Sequence, residues 1–165
     1  MNDQLTQQLD NAIELRKEGQ LKESNQLLLE LVTEHPENAE VNYQCAWSYD
    51  VLGEEADAVP FYEKAIELGL SKDALEGALL GLGSTFRTLG DYENSKRIFQ
   101  RAINEFPTNH ALKVFYAMTL YNTSDHKLAM EVLLKSLLET TTDKNILKYK
   151  KAIHFYSDKL DETWE

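Results

Sequence analysis

Gly90-Asp91-Tyr92-Glu93-Asn94-Ser95 sits between two apolar patterns of helical period, and its like occurs three more times. The others are Gly19-Gln20-Leu21-Lys22-Glu23-Ser24, Gly53-Glu54-Glu55-Ala56-Asp57-Ala58 and Ser124-Asp125-His126-Lys127-Leu128-Ala129. In chain order their first residues lie 34, 37 and 34 apart. A fixed period of this size means a repeat, and a turn between two helical patterns means a helical hairpin in each copy.

Working outward, the spacing within each copy agrees. The third copy carries Leu79, Leu82, Gly83 and Phe86 before its turn, and Ser95, Phe99, Ala102 and Pro107 after it. The second carries Asn42, Cys45, Ala46 and Tyr49, then Ala58, Tyr62 and Ala65. The fourth gives Tyr116, Ala117 and Leu120, then Ala129, Leu133 and Ser136. The first, the most degenerate, gives Ala12, Leu15, Ser24, Leu28 and Pro36, as a terminal copy with one neighbour would. Small residues hold one position on each helix: Ala12, Ala46, Gly83 and Ala117 on the first, and Ser24, Ala58, Ser95 and Ala129 on the second. These are the expected repeat-packing residues, because a small side chain lets two helix backbones approach.

The pattern predicts helices near 3–18, 21–34, 39–52, 56–68, 72–89, 92–105, 109–122 and 126–138. Asn38, Asn109 and Ser71 stand where N-caps are needed and Gly69 where a C-cap is. Pro60 is expected in the first turn or so of its helix, where a missing N–H costs little. The three extra residues before the third copy predict a longer helix from Lys72. After Thr140-Thr141-Thr142-Asp143, the stripe Ile146, Tyr149, Ile153, Tyr156 and Leu160 predicts one amphipathic capping helix over about 143–162. The expectation is a single all-α domain over 1–165, a solenoid of four helix-turn-helix units at about 3–36, 37–70, 71–108 and 109–141 plus that cap.

Period and motif match the tetratricopeptide repeat. From about His35 to Trp164 the chain resembles a family of short tetratricopeptide proteins common in Gram-positive bacteria. The matching phrases are Asp57-Ala58-Val59-Pro60-Phe61-Tyr62, Ala65 to Ser71, Gly77 to Gly90, Phe106-Pro107 and Ala111-Leu112. The resemblance implies a helical stack, a cytoplasmic location and homodimerisation, and it supplies no catalytic residues.

Charge is uneven. Residues 1–76 hold 17 acidic against 5 basic residues, a net −12, whereas 77–165 hold 11 against 12, a net +1. So acidic a half repels phosphate, which argues against nucleic acid. It serves either a basic partner or solubility. No apolar run approaches the roughly 18 residues of a membrane span, and Met1-Asn2-Asp3-Gln4 does not open like a leader. A single cysteine fits a reducing cytoplasm.

Stacked hairpins turn their first helices toward a groove. The helical offset from the packing positions selects Leu9, Ile13 and Arg16; Tyr43, Trp47 and Asp50; Leu80, Ser84 and Arg87; and Val114, Met118 and Tyr121 as its lining. Gly77, Gly81 and Ser84 read as a bare strip flanked by aromatics, fit for a helix or an extended peptide. The alternative is that the aromatics pack on neighbouring units or on the C-terminal helix. The tetratricopeptide subgroup that reads acidic chaperone tails needs Lys, Asn, Asn, Lys and Arg where this chain has Leu9, Ile13, Gln44, Gly77 and Gly81, so that use is disfavoured.

Catalytic signals are missing. Cys45 falls on a packing position. His35, His110, His126 and His154 lack metal-ligand spacing, and Gly81-Leu82-Gly83 follows no strand. The expectation is therefore a non-catalytic protein-interaction module, with no cofactor and no metal, that takes a peptide or protein in its groove. A self-associating homodimer is the alternative. A peptide-sensing regulator is a second one, though 1–38 leaves no room for a DNA-binding domain.

Overall fold

The computed structural model describes residues 3–164. Met1 and Asn2, which open the stretch read for a leader, and Glu165 lie outside the described residues. The described residues form ten helices and no strand: α1 (Asp3–Lys17), α2 (Leu21–Glu34), α3 (Ala39–Leu52), α4 (Glu55–Leu68), α5 (Lys72–Thr88), α6 (Tyr92–Glu105), α7 (His110–Asn122), α8 (His126–Thr140), α9 (Lys144–Lys148) and α10 (Lys150–Tyr156). Two compact units contain them, residues 1–91 and 92–165, and the division falls inside the third predicted repeat.

The four repeated turns share one backbone solution. Gly19, Gly53 and Gly90 have φ of 82°, 76° and 80°, and Ser124 has 62°. Each follows a first helix whose last turn ends in the left-handed region, which glycine enters at no steric cost. Ser124 pays that cost in the fourth copy. Helix starts are capped as the sequence suggests. The Asn38 side chain accepts from Val41 N at 3.0 Å, Ser71 from Ala74 N at 3.3 Å, and Asn109 from Ala111 N at 2.8 Å. Each such cap contributes about 1 kcal/mol. α5 runs 17 residues against 14 for α3, the predicted extra turn. Pro60 sits deeper than expected, at the sixth position of α4, so one hydrogen bond of the ladder is lost inside the helix.

In the first unit Leu5, Leu9, Ala12, Leu28, Leu31, Val41 and Cys45 form one core cluster. The Ser24 hydroxyl donates to the Ala12 carbonyl at 2.7 Å, tying α2 to α1 at the small-residue contact. Asn25 Nδ2 donates to Ser48 Oγ at 2.9 Å and ties α2 to α3. In the second unit Ser95 Oγ and Thr119 Oγ1 lie 2.8 Å apart, joining α6 to α7. Ala46, Ala58, Gly83, Ala117 and Ala129 are all buried.

The single capping helix over 143–162 is corrected. Asp143 caps α9, but the chain breaks at Tyr149 (φ −103°, ψ 12°), where N–H donates to the Ile146 carbonyl at 3.0 Å in a tighter turn. α10 then packs on α8 and ends at Tyr156. No residue of α9 is buried, so no packing face holds one continuous helix in register. Of the stripe, Ile146 and Ile153 are half-buried, whereas Tyr149, Tyr156 and Leu160 stay exposed.

Candidate partner-binding site

The first unit turns α1, α3 and α5 toward one face, and Trp47 stands in the middle of it. The indole is 42% exposed, whereas its helix neighbours Cys45, Ala46 and Ser48 are buried. It lines two hollows. One, about 320 Å³, is walled by Ile13, Arg16, Lys17, Gln44, Trp47 and Val51. The other, about 360 Å³, is shared by Tyr43, Trp47, Asp50, Tyr62, Leu80 and Ser84 over Gly77 and Gly81.

Arg16 is fixed in place. Its guanidinium carbon lies 4.0 Å from the Trp47 ring centroid, a cation–π contact. Nη2 donates to Gln44 Oε1 at 2.6 Å and Nη1 to the Gln44 carbonyl at 3.3 Å. Gln44 Nε2 donates in turn to Glu40 Oε1 at 2.8 Å. Burial pulls the Arg16 pKa down from its ordinary value, while the neighbouring Tyr43 and Tyr62 push it back up.

The second hollow has a polar floor. The Tyr62 hydroxyl donates to Asp50 Oδ2 at 2.5 Å and the Thr85 hydroxyl to Asp50 Oδ1 at 2.8 Å. Burial pushes the Asp50 carboxyl above the usual aspartate value, with the two hydroxyl bonds opposing the shift. Tyr62 is raised far above 10.0, first by burial and then by the adjacent Asp50 charge. Tyr43 is raised too, by burial first and then by Glu40. Its ring stacks on Trp47 at 6.1 Å and lies 6.2 Å from Tyr62.

The strip read as bare is therefore filled by the protein's own rings. A Cβ at Gly77 would collide with the Tyr43 hydroxyl, and one at Gly81 would come within 2.9 Å of Tyr62 Cε1. The glycines admit tyrosines from α3 and α4, and the depression beside them is what a ligand would find. Leu9 is corrected as well. It is 4% exposed and belongs to the core cluster, where it is grouped with Leu5, Ala12 and Leu28. Ile13, Arg16, Tyr43, Trp47, Asp50, Leu80 and Ser84 do line the hollows, while Arg87 is half-buried and lines neither. In the second unit Val114 is half-buried, Met118 is 41% exposed and Tyr121 is 66% exposed, its ring 4.8 Å from that of His126.

Sequence reasoning missed Lys17, Gln44, Val51 and Tyr62 as lining. Tyr62 read as a packing residue of its helix, and it is one. The available signal was Gly81, a glycine facing that tyrosine where the next copy, 34 residues on, has Phe115. Cys45 offers no nucleophile, since burial pushes its thiol up to about 12. Among the described residues no group of three or more His, Cys, Asp or Glu is set to hold a metal ion, and no helix is long and apolar enough to cross a membrane.

The tetratrico peptide repeat model matches residues 39–160, most of the chain. The chain is a tetratricopeptide-repeat protein. Solved structures share its fold. A MamA RS-1 double mutant superposes with a TM-score of 0.76 at 14% identity, over 98% of this chain and 89% of that one. MamA from Desulfovibrio magneticus RS-1, residue 41 to the end, gives 0.74 at 14% identity, over 95% and 90%. YrrB, titled a TPR protein with an unusual peptide-binding site, gives 0.70 at 16% identity, over 92% and 77%. No curated protein matches the sequence. Tetratricopeptide repeats are typically non-catalytic protein-interaction modules, and this chain has the fold of one.

Proposed function

We propose that the tetratricopeptide chain is an adaptor that holds a peptide or protein partner against the α1–α3–α5 face of its first unit, and that the partner is basic. The observation that carries this is Trp47: a large indole left exposed between two hollows. Such a residue is a natural anchor for a partner. A strongly acidic surface favours a cationic partner and speeds its approach. YrrB's titled peptide-binding site supports the class of ligand. In the second unit, Val114, Met118 and Tyr121 form a separate candidate surface.

The test is a Trp47→Ala/Tyr121→Ala variant, checked for helicity and then used as bait, with co-purifying proteins identified by mass spectrometry. Each single variant then assigns the loss to one unit. Retention of every partner by a folded double variant overturns the reading.

A second reading, self-association, is favoured by one observation. Phe155 and Tyr156 of α10 form an exposed aromatic cluster with Trp164, with centroids 5.1 to 6.2 Å apart. Light scattering across concentrations tests it, and a strict monomer removes it.

A further inference from the structure

Trp47, Tyr43 and Tyr62 put three aromatic rings on one hollow of about 360 Å³, and Asp50 is the carboxylate that shares it. The rings form a continuous wall, with neighbouring centroids 6.1 and 6.2 Å apart. Asp50 has two neutral hydroxyl donors, from Tyr62 and Thr85, and no lysine or arginine of the described residues forms an ion pair with it. A carboxylate offers about four lone-pair sites, so roughly two remain. Burial raises its pKa, as expected of a carboxylate held without a counter-ion.

The wall already shows what it attracts. Trp47 carries the Arg16 guanidinium at 4.0 Å on the side of the neighbouring hollow, so this indole binds a cation within its own chain. Arg16 is tethered to Gln44 and does not serve Asp50. The unit that holds the hollow, residues 1–91, carries 18 acidic against 6 basic side chains, a net −12 that favours a cationic ligand.

We propose that this hollow receives the cationic end of a lysine or arginine side chain from the partner, with the rings as its walls and the Asp50 carboxylate as its counter-charge. The proposal rests on the peptide-binding reading of the first unit and names the residue type that the unit selects. Aromatic walls attract a cation through their negative faces, and a partly buried carboxylate adds a charge-assisted hydrogen bond. An aliphatic side chain of equal length gains neither and leaves the carboxylate uncompensated.

The experiment uses the full chain with Trp164→Phe, which leaves Trp47 as its one indole. Acetylated, amidated pentapeptides of sequence glycine-leucine-X-leucine-glycine, with X as lysine, arginine or norleucine, are titrated against Trp47 fluorescence. The expected result is lysine or arginine binding about tenfold more tightly than norleucine, with that preference reduced severalfold in Asp50→Asn as the counter-charge is lost. The two cationic peptides distinguish an ammonium from a guanidinium ligand. Equal affinity for norleucine overturns the cation proposal and leaves the groove standing. A cation preference undiminished in a folded Asp50→Asn overturns the role of Asp50. No saturable response to any peptide overturns both the proposal and the groove. The wild-type lysine against norleucine comparison does not depend on the Asp50 variant folding.

Discussion

The junction between a second helix and the next first helix recurs along the chain, and its α4–α5 and α6–α7 versions differ in chemistry. In the first unit Tyr62 of α4 lies over Gly81 of α5 and sends its hydroxyl to Asp50. In the second unit the corresponding residues are Phe99 of α6 and Phe115 of α7, whose rings stack at 6.2 Å. Thr85 donates to Asp50 in the first unit, whereas Thr119, 34 residues on, meets Ser95. A glycine lets a tyrosine reach through to the face and build a polar floor there. A phenylalanine at that position closes the junction with apolar packing. One helical frame can thus carry either a polar floor or an apolar plug, according to the size of one residue.

The largest expected effect lies on the plugged side. Phe99 is fully buried, and Phe99→Ala should destabilise by about 3–5 kcal/mol, read as a fall in the urea midpoint. If the loss is under about 1 kcal/mol, the phenylalanine stack is not what holds α6 to α7. On the open side, Gly81→Leu pushes a side chain into the Tyr62 ring and should cost about 1–3 kcal/mol. It should also abolish peptide quenching of Trp47. A neutral result would mean that Tyr62 swings away freely, and the comparison would fail.

Smaller still, Tyr62→Phe removes one donor from Asp50 and should cost about 1 kcal/mol, with the Asp50 carboxyl titrating higher still by NMR. The sign for Asp50 itself follows from its raised pKa. The folded state holds that proton more tightly than the unfolded one, so this residue's stabilising contribution is present below the ordinary aspartate value and is lost as pH rises through the raised one. Asp50→Asn should therefore melt no lower than wild type at neutral pH. A clearly lower melting temperature would show that the charge itself stabilises the fold. The smallest effect is expected at the fourth turn, where Ser124 has φ of 62°. Ser124→Gly should stabilise by about 0.5–1 kcal/mol, the relieved strain less the extra entropy of glycine in the unfolded chain. Thermal melts would show it, and destabilisation would mean that the serine makes a compensating bond.

Helix spans were almost wholly legible, because turn glycines, caps and a period of 34 residues report local geometry. The candidate face was legible in part. Trp47, Tyr43 and Asp50 follow from helical offset, but Leu9 did not hold, since it packs into the core cluster. The bare strip misled because a glycine shows only where space is made, not which side chain takes it. The C-terminal stripe misled in another way. Its period is helical, yet too few contacts hold it as one helix, and it breaks at Tyr149.

The sequence alone determined the hairpins, their number and their turns, because those depend on neighbours close along the chain. Tertiary structure decided that Tyr62 crosses over Gly81 to hold Asp50, that Arg16 rests on Trp47, and that the last stripe stays largely uncovered. These pairings join residues 12 and 31 positions apart, and no local rule sets them. They arise from how closely packed helices share out the space that small residues leave.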